Sequence, residues 1–107
     1  MQIEKVQDNR AIILQISGRL EGSTADEFSN CVADALRQAP ERLVLDLASV
    51  DYISSAGLRI LIQTAKDART TNTRIALCAL CANVMDVLEI SGLTKILSIY
   101  TSREQAV

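Results

Sequence analysis

The alternation of two kinds of apolar pattern is the feature that most restricts how this chain can fold. From residue 24 onward, short runs rich in Val, Leu and Ile alternate with stretches whose apolar residues recur every three or four positions. A strand, a helix and a further strand in succession form a parallel sheet with the helix packed on it. The pattern therefore predicts an α/β fold in one domain, residues 1–107. Its sheet should be mixed, mostly parallel and of about five strands.

Five segments are predicted to be strands. The first two, Ile3–Val6 and AIILQISG at 11–18, flank a polar turn at 8–10, which indicates a hairpin and makes the sheet mixed. The third, RLVLDLASV at 42–50, is apolar almost throughout, as expected for a strand buried on both faces. The fourth and fifth are RIALCAL at 74–80 and KILSIY at 95–100.

Three amphipathic helices connect these strands. The first is predicted to start after Ser23 or Thr24, where Asp26 or Glu27 would complete a capping box, and to stop before Pro40. The other helical segments are GLRILIQTAKDAR at 57–69, ANVMDVLEISG at 82–92 and a last turn in SREQAV at 102–107. The inward face of the second helix should consist of Leu58, Leu61, Ile62, Ala65 and Ala68.

The composition excludes several classes of function. The chain has no histidine, which removes Ser-His-Asp and Cys-His catalysis and the commonest metal ligand. Its net charge of −2, with no block of like charge and no Trp, argues against nucleic-acid binding. No apolar run approaches the roughly 20 residues that span a membrane, and the first ten residues lack a signal-peptide core. A cytoplasmic protein with neither nucleic acid nor membrane as partner is therefore expected.

Two adjacent serines stand between the third strand and the second helix, in DYISSAGLRI at 51–60. Ser54 or Ser55 can cap the helix by accepting a hydrogen bond from a free N–H group of its first turn. The same free N–H groups and the partial positive charge of the helix end would tolerate a phosphate there. Gly57 should leave the surface beside the serines open. Catalysis by Ser55 is not expected, because no base is available to activate its hydroxyl.

Cys78 and Cys81 have the C-x-x-C spacing, which leaves two interpretations open. One is a thioredoxin-like thiol–disulfide site. The other treats both as small apolar residues packed under the third helix, which the apolar strand ending at Cys78 favours. No metal site is predicted, since only Cys31 could add a third soft ligand.

Asp46 interrupts the apolar third strand. A phosphoacceptor or metal site would need other carboxylates beside it, and the end of the first long strand supplies only Ser17 and Gly18. The residue is therefore interpreted as structural, with its carboxylate accepting hydrogen bonds from loop N–H groups.

Three blocks of sequence carry a similarity to a known family. They are SGRLEGSTADEF at 17–28, LVLDLASVDYISSAGLRIL at 43–61 and LCALCANVMDVLEISGLTKIL at 77–97. In these blocks, and in its order of strands and helices, the chain resembles the STAS-domain family, specifically the stand-alone bacterial anti-sigma factor antagonists. The middle block is the specific one.

The resemblance implies a partner-switching function. The unmodified antagonist would bind an anti-sigma factor that is also a serine protein kinase, and would so release a sigma factor or another client. The kinase would phosphorylate the antagonist, which dissociates the complex, and a phosphatase of the PP2C type would reset it. ATP and magnesium would belong to the kinase, so the chain itself would need no cofactor and would not be an enzyme.

The resemblance also implies which residues carry this function. The modified serine of the family lies two residues before the helix-start glycine, which is Ser55 here, with Ser54 as a minor alternative acceptor. The family's acidic residue before the first helix corresponds to Glu21. The implied partner-binding residues are Glu21, Gly22, Ser23, Thr24, Ser54, Ser55, Ala56, Gly57, Leu58 and Arg59. Two alternatives stay open: a redox protein using Cys78 and Cys81, and a scaffold STAS subunit of a transport or stress complex.

Overall fold

An antiparallel hairpin begins the chain, as predicted. In the computed structural model, which describes all of residues 1–107, strand β1 (Gln2–Asp8) pairs with strand β2 (Ala11–Leu20). Asn9 in the connecting turn has φ of 60°, a left-handed conformation that asparagine tolerates better than most residues. The hairpin thus supplies the one antiparallel pair of the sheet.

The remaining elements alternate as the sequence predicts. The strands are β3 (Arg42–Ile53), β4 (Arg74–Cys78) and β5 (Ser98–Tyr100). The helices are α1 (Ala25–Arg37), α2 (Ser55–Thr70), α3 (Ala82–Ile90) and α4 (Arg103–Ala106), with a short 3₁₀ turn at Leu93–Lys95. No helix is both long enough and apolar enough to cross a membrane.

The strand order places three helices on the same face of the sheet. Strands follow one another as β1-β2-β3-β4-β5, and β2 to β5 are parallel. Right-handed crossovers that always advance in one direction leave every connecting helix on one side. A core of 20 buried residues fills the space between α1, α2, α3 and the sheet. Its members include Leu14, Leu45 and Leu77 from the strands and Phe28, Leu61 and Leu88 from the helices.

The opposite face carries a small second cluster and the C-terminal helix. Its members are Ile13, Val44, Ala76, Cys78 and Ala106. Asp46 lies on this face and binds Arg103 of α4 through two bonds, from Nε at 3.1 Å and from Nη2 at 2.8 Å. Its other oxygen accepts the Ala48 N–H at 3.1 Å. The structural role predicted for Asp46 is confirmed, but its partners are Arg103 and an N–H of its own strand rather than the loop N–H groups that were expected.

The last two predicted strands are shorter than expected. The fourth ends at Cys78 rather than Leu80, because Ala79 turns away with φ of 61°. The fifth begins at Ser98 rather than at residue 95. Gly92 adopts φ of 81°, and the N–H groups of Ile96 and Leu97 both donate hydrogen bonds to the Leu93 carbonyl. The residues directly after Gly92 therefore form a 3₁₀ turn, and the strand starts only at Ser98.

Helix α2 starts two residues before its predicted start, and four of its five predicted face residues pack on the core. Ile62 was predicted to face the core but is 39% exposed. Thr64 is buried in its place, and its hydroxyl donates to the Ile60 carbonyl at 2.7 Å. A threonine whose hydroxyl bonds to its own helix needs no other partner, so it can enter the core at little cost.

Candidate functional site

The carboxyl ends of β2 and β3 bring two of the segments singled out in the sequence together. The chain leaves β2 at Leu20 and enters the turn before α1, and it leaves β3 at Ile53 and enters α2. The two exits are joined directly, because the Ser54 N–H donates to the Leu20 carbonyl at 2.8 Å. We call the surface formed by residues 19–24 and 52–59 the candidate surface.

The two serines have different roles on this surface. Ser54 is the N-cap of α2, with extended backbone and a side-chain oxygen that accepts the Gly57 N–H at 3.4 Å. Ser55 is the first residue of the helix, is exposed, and its hydroxyl makes no hydrogen bond to the protein. The Ser54 oxygen thus accepts a long capping hydrogen bond, whereas the Ser55 hydroxyl is exposed and unbonded.

Gly57 is buried and does not open the surface, so the expectation from the sequence is wrong. A Cβ atom at this position would lie 2.9 Å from Ile53 Cγ1 and 3.0 Å from the Leu20 carbonyl oxygen. The glycine is required because the start of α2 packs directly on the ends of β2 and β3. It therefore fixes where Ser55 stands relative to the turn that precedes α1.

The turn before α1 is held by its own polar side chains. Glu21 accepts a hydrogen bond from Arg19 Nε at 2.9 Å and another from the Ser23 hydroxyl at 3.2 Å. The Arg19 bond, followed by that of Ser23, lowers the pKa of the Glu21 carboxyl. Glu21 is thus ionised at neutral pH and held in one place at the edge of the candidate surface.

The capping box predicted with Ser23 or Thr24 and Asp26 or Glu27 does not form. Thr24 is the N-cap residue of α1, but its side chain makes no capping hydrogen bond. Its hydroxyl instead donates to the Arg19 carbonyl at 2.5 Å and accepts the Glu21 N–H at 3.1 Å. The Thr24 hydroxyl cannot cap the helix because it already bonds to two backbone groups of the turn, the Arg19 carbonyl and the Glu21 N–H.

Arg19 and Tyr52 belong to this surface, although the sequence analysis did not single them out. The two residues are register partners on β2 and β3, and the guanidinium carbon lies 4.1 Å from the centre of the Tyr52 ring. Tyr52 is 41% exposed, so its ring is accessible from solvent. The contact depends on a register shift between Gly18 and Arg19, and a shift of that kind leaves no signal in the apolar pattern.

The predicted partner-binding residues occupy one continuous surface. Four of them are exposed, namely Gly22, Ser23, Ser55 and Arg59, and Gly57 is buried. The remaining members are half-buried, namely Glu21, Thr24, Ser54, Ala56 and Leu58. Together with Arg19, these residues present the Glu21 carboxylate, the unbonded Ser55 hydroxyl and two guanidinium groups. No group of three His, Cys, Asp or Glu side chains is placed to hold a metal ion.

The two cysteines of the C-x-x-C motif lie in different parts of the core. Cys78 packs in the small cluster beneath α4, whereas Cys81 packs against the large cluster, with its sulfur 3.5 Å from the Val50 carbonyl. Both are free thiols. Burial, reinforced by Asp46, raises the pKa of the Cys78 thiol to about 11. A redox pair needs facing sulfurs and a lowered pKa, so the geometry favours the packing interpretation.

We expect Cys78→Ser and Cys81→Ser to cost some stability and to leave partner binding unchanged. The wild-type protein should show no disulfide reductase activity, and an alkylating reagent should label Cys78 only after unfolding, because the buried thiol stays protonated at neutral pH. Mass spectrometry of native and denatured samples checks the labelling. Reductase activity that disappears in the double variant would instead identify a redox protein.

Comparison of the sequence with known proteins identifies the family to which it is similar. The model of the STAS domain matches residues 2–106. BtrV of Bordetella bronchiseptica, a candidate anti-sigma factor antagonist, is 37% identical over 95 residues, which cover 89% of this chain and 82% of that protein.

Solved structures show the same fold at lower sequence identity. A candidate anti-sigma factor antagonist of Thermotoga maritima superposes with a TM-score of 0.91 at 24% identity, covering 97% of this chain and 90% of that one. The Bacillus cell fate determinant SpoIIAA in its phosphorylated form superposes with a TM-score of 0.75 at 14% identity, covering 98% and 96%. At these identities the likeness concerns the fold alone.

Proposed function

This chain belongs to the STAS-domain family, and from that premise we propose that it is an anti-sigma factor antagonist that works by partner switching. In its unmodified form it binds an anti-sigma factor that is also a serine protein kinase, and a sigma factor or other client is thereby released. Phosphorylation of Ser55 dissociates the complex, and a PP2C-type phosphatase restores the unmodified form. The cycle takes place in the cytoplasm, and the chain itself catalyses no step.

The difference in exposure and hydrogen bonding between Ser54 and Ser55 supports this proposal. Ser54 caps the helix, while the Ser55 hydroxyl is exposed and unbonded one residue later. In the transfer, the Ser55 oxygen forms a bond to the γ-phosphorus of ATP, the bond from that phosphorus to ADP breaks, and the hydroxyl proton passes to a base of the kinase. The Ser55 hydroxyl is exposed and unbonded, whereas that of Ser54 is half-buried and accepts the Gly57 N–H, which supports Ser55 over Ser54 as the acceptor.

The position of Ser55 explains why a phosphate would act on the complex and spare the fold. A phosphoserine adds about −1.5 to −2 charges and three acceptor oxygens. In the free protein those oxygens meet solvent and the N–H groups at the start of α2. At a packed interface the phosphate must be desolvated and paired, and a partner surface without a cation there cannot do this. The added charge therefore weakens the complex much more than the monomer.

The turn before α1 would supply the fixed part of the interface. Glu21 is ionised and oriented by Arg19, and Arg19 is itself held over the Tyr52 ring. Groups held before binding lose little conformational entropy when a partner arrives. We propose that Glu21 pairs with a cationic side chain of the kinase, with Tyr52 as an additional contact beside it.

The acceptor can be mapped with the kinase that the unmodified protein captures from its native cytosol. With Mg-ATP, the protein should gain one phosphate, and mass spectrometry should place it on Ser55. Ser55→Ala should abolish most of the labelling and keep the complex assembled. It should change stability little, because the helix cap is Ser54.

Ser54→Ala is the matched control for this experiment. It should still be phosphorylated on Ser55, but should lose about 1 kcal/mol of stability with the cap. Labelling mainly on Ser54, or undiminished labelling of Ser55→Ala, would show that Ser55 is not the acceptor. Capture of a transport or stress complex without any kinase would favour the scaffold alternative.

A further inference from the structure

Arg59 lies one helical turn beyond Ser55 on the same side of α2. Residues four positions apart on a helix are neighbours, with a rise of about 6 Å along the axis between them. Both residues are exposed. An anionic group at the earlier position and a cation at the later one is the favourable order for such a pair, because it also matches the helix dipole.

Arg59 has no anionic partner in the unmodified protein. It takes part in none of the four ion pairs, and the first turn of α2 holds no acidic residue. Its side chain lines a groove of about 250 Å³ between α1 and α2. Asp67 lines the same groove two turns further along α2, but its carboxylate accepts a hydrogen bond from Gln63 Nε2 at 2.9 Å and forms no ion pair with Arg59. The guanidinium is therefore free to move to a new anion without breaking an existing pair.

The other arginine of the candidate surface is already occupied. Arg19 donates to Glu21 at 2.9 Å and stacks on Tyr52 at 4.1 Å. Moving it to a phosphate on Ser55 would break both contacts and release the turn before α1. Arg59 can make the same pairing without such a loss.

We propose that Arg59 pairs with the phosphate on Ser55 within the same helix and so stabilises the phosphorylated free protein. This inference rests on the proposed phosphorylation of Ser55 and names the residue that responds to it. Guanidinium binds phosphate through paired, charge-assisted hydrogen bonds. In the unmodified protein Arg59 is available to the partner, and in the modified protein it is taken by the phosphate. Phosphorylation thus adds a repelling charge and also withdraws a cation from the interface.

The pairing can be measured without any kinase. Phosphoserine is incorporated at position 55 during translation, and phosphorus NMR follows the second ionisation of the phosphate, whose usual pKa is about 6. A neighbouring guanidinium favours the doubly charged form, so Arg59→Gln should raise that pKa by about half a unit. Arg59→Lys should restore part of the difference, since it keeps the charge and loses the paired geometry.

Lys66→Gln is the matched control, because Lys66 is an exposed cation on the same helix about three turns from Ser55. Its removal should shift the pKa much less than that of Arg59. Equal pKa values in the wild type and Arg59→Gln, or an equal shift in Lys66→Gln, would overturn the proposal. Because the phosphate is installed directly, this result does not depend on whether a kinase modifies Ser55.

Discussion

Replacing Ser55 with aspartate should lower the affinity for the kinase by a hundredfold or more while leaving the fold intact. An uncompensated charge at a buried contact costs several kcal/mol, and every 1.4 kcal/mol is about a factor of ten in affinity. The carboxylate stands at the first position of α2, where the helix dipole favours negative charge, so the melting temperature should change little. Titration calorimetry against the kinase gives the affinity.

Two variants separate charge from shape in this experiment. Ser55→Asn has nearly the volume of the aspartate variant but no charge, and Ser55→Ala removes the hydroxyl alone. Both should bind far more tightly than Ser55→Asp if charge decides the outcome. Since phosphate carries more charge than a carboxylate, the phosphorylated protein should bind no better than Ser55→Asp. Equal affinities for all variants would mean that Ser55 lies outside the interface.

Replacing Gly57 with alanine should destabilise the protein by about 1–3 kcal/mol, the usual cost of overpacking a core. Alanine normally stabilises a helix interior by about 1 kcal/mol relative to glycine, so the expected sign is reversed here. The reason is the new Cβ atom, which would approach Ile53 Cγ1 to 2.9 Å and the Leu20 carbonyl oxygen to 3.0 Å. For a domain of this size the melting temperature should fall by roughly 10 °C.

Gly22 offers the matched control, because a Cβ atom there would meet nothing within 4 Å. Gly22→Ala should keep its melting temperature within a degree or two. Calorimetric scans of both variants decide the matter. A Gly57→Ala variant as stable as the wild type would show that the start of α2 can move away from β2 without cost. In that case the position of Ser55 would not be fixed by this contact.

Most of the architecture could be predicted because its signals are local. Apolar residues at intervals of two or of three and four distinguish strands from helices within a few residues. The parallel sheet followed from the alternation itself. The errors fell where a turn residue changed the chain direction, at Ala79 and Gly92, and where a polar residue satisfied itself inside a helix, at Thr64. Each of these depends on backbone angles or bonds that apolar periodicity does not encode.

The candidate site was predicted only in part. The sequence placed two serines at a helix start, and the family resemblance selected Ser55. Neither the sequence pattern nor the resemblance indicated that Arg19 and Tyr52 are in contact, because that contact depends on the register of β2 against β3. Aromatic and cationic side chains far apart in sequence become neighbours only when two strands pair.

The amino-acid sequence by itself determined the order of strands and helices, the family and the strand-to-helix junction that carries Ser55, because each depends on neighbouring residues. The tertiary structure decided which hydroxyl is free, why Gly57 is required and where Asp46 finds its partner. Asp46 and Arg103 are 57 residues apart. They meet because crossover handedness places α1, α2 and α3 on the first face, and α4, which follows the last strand, packs on the face left free. Contacts of this kind arise from the packing of the whole sheet, and no short stretch of the chain contains them.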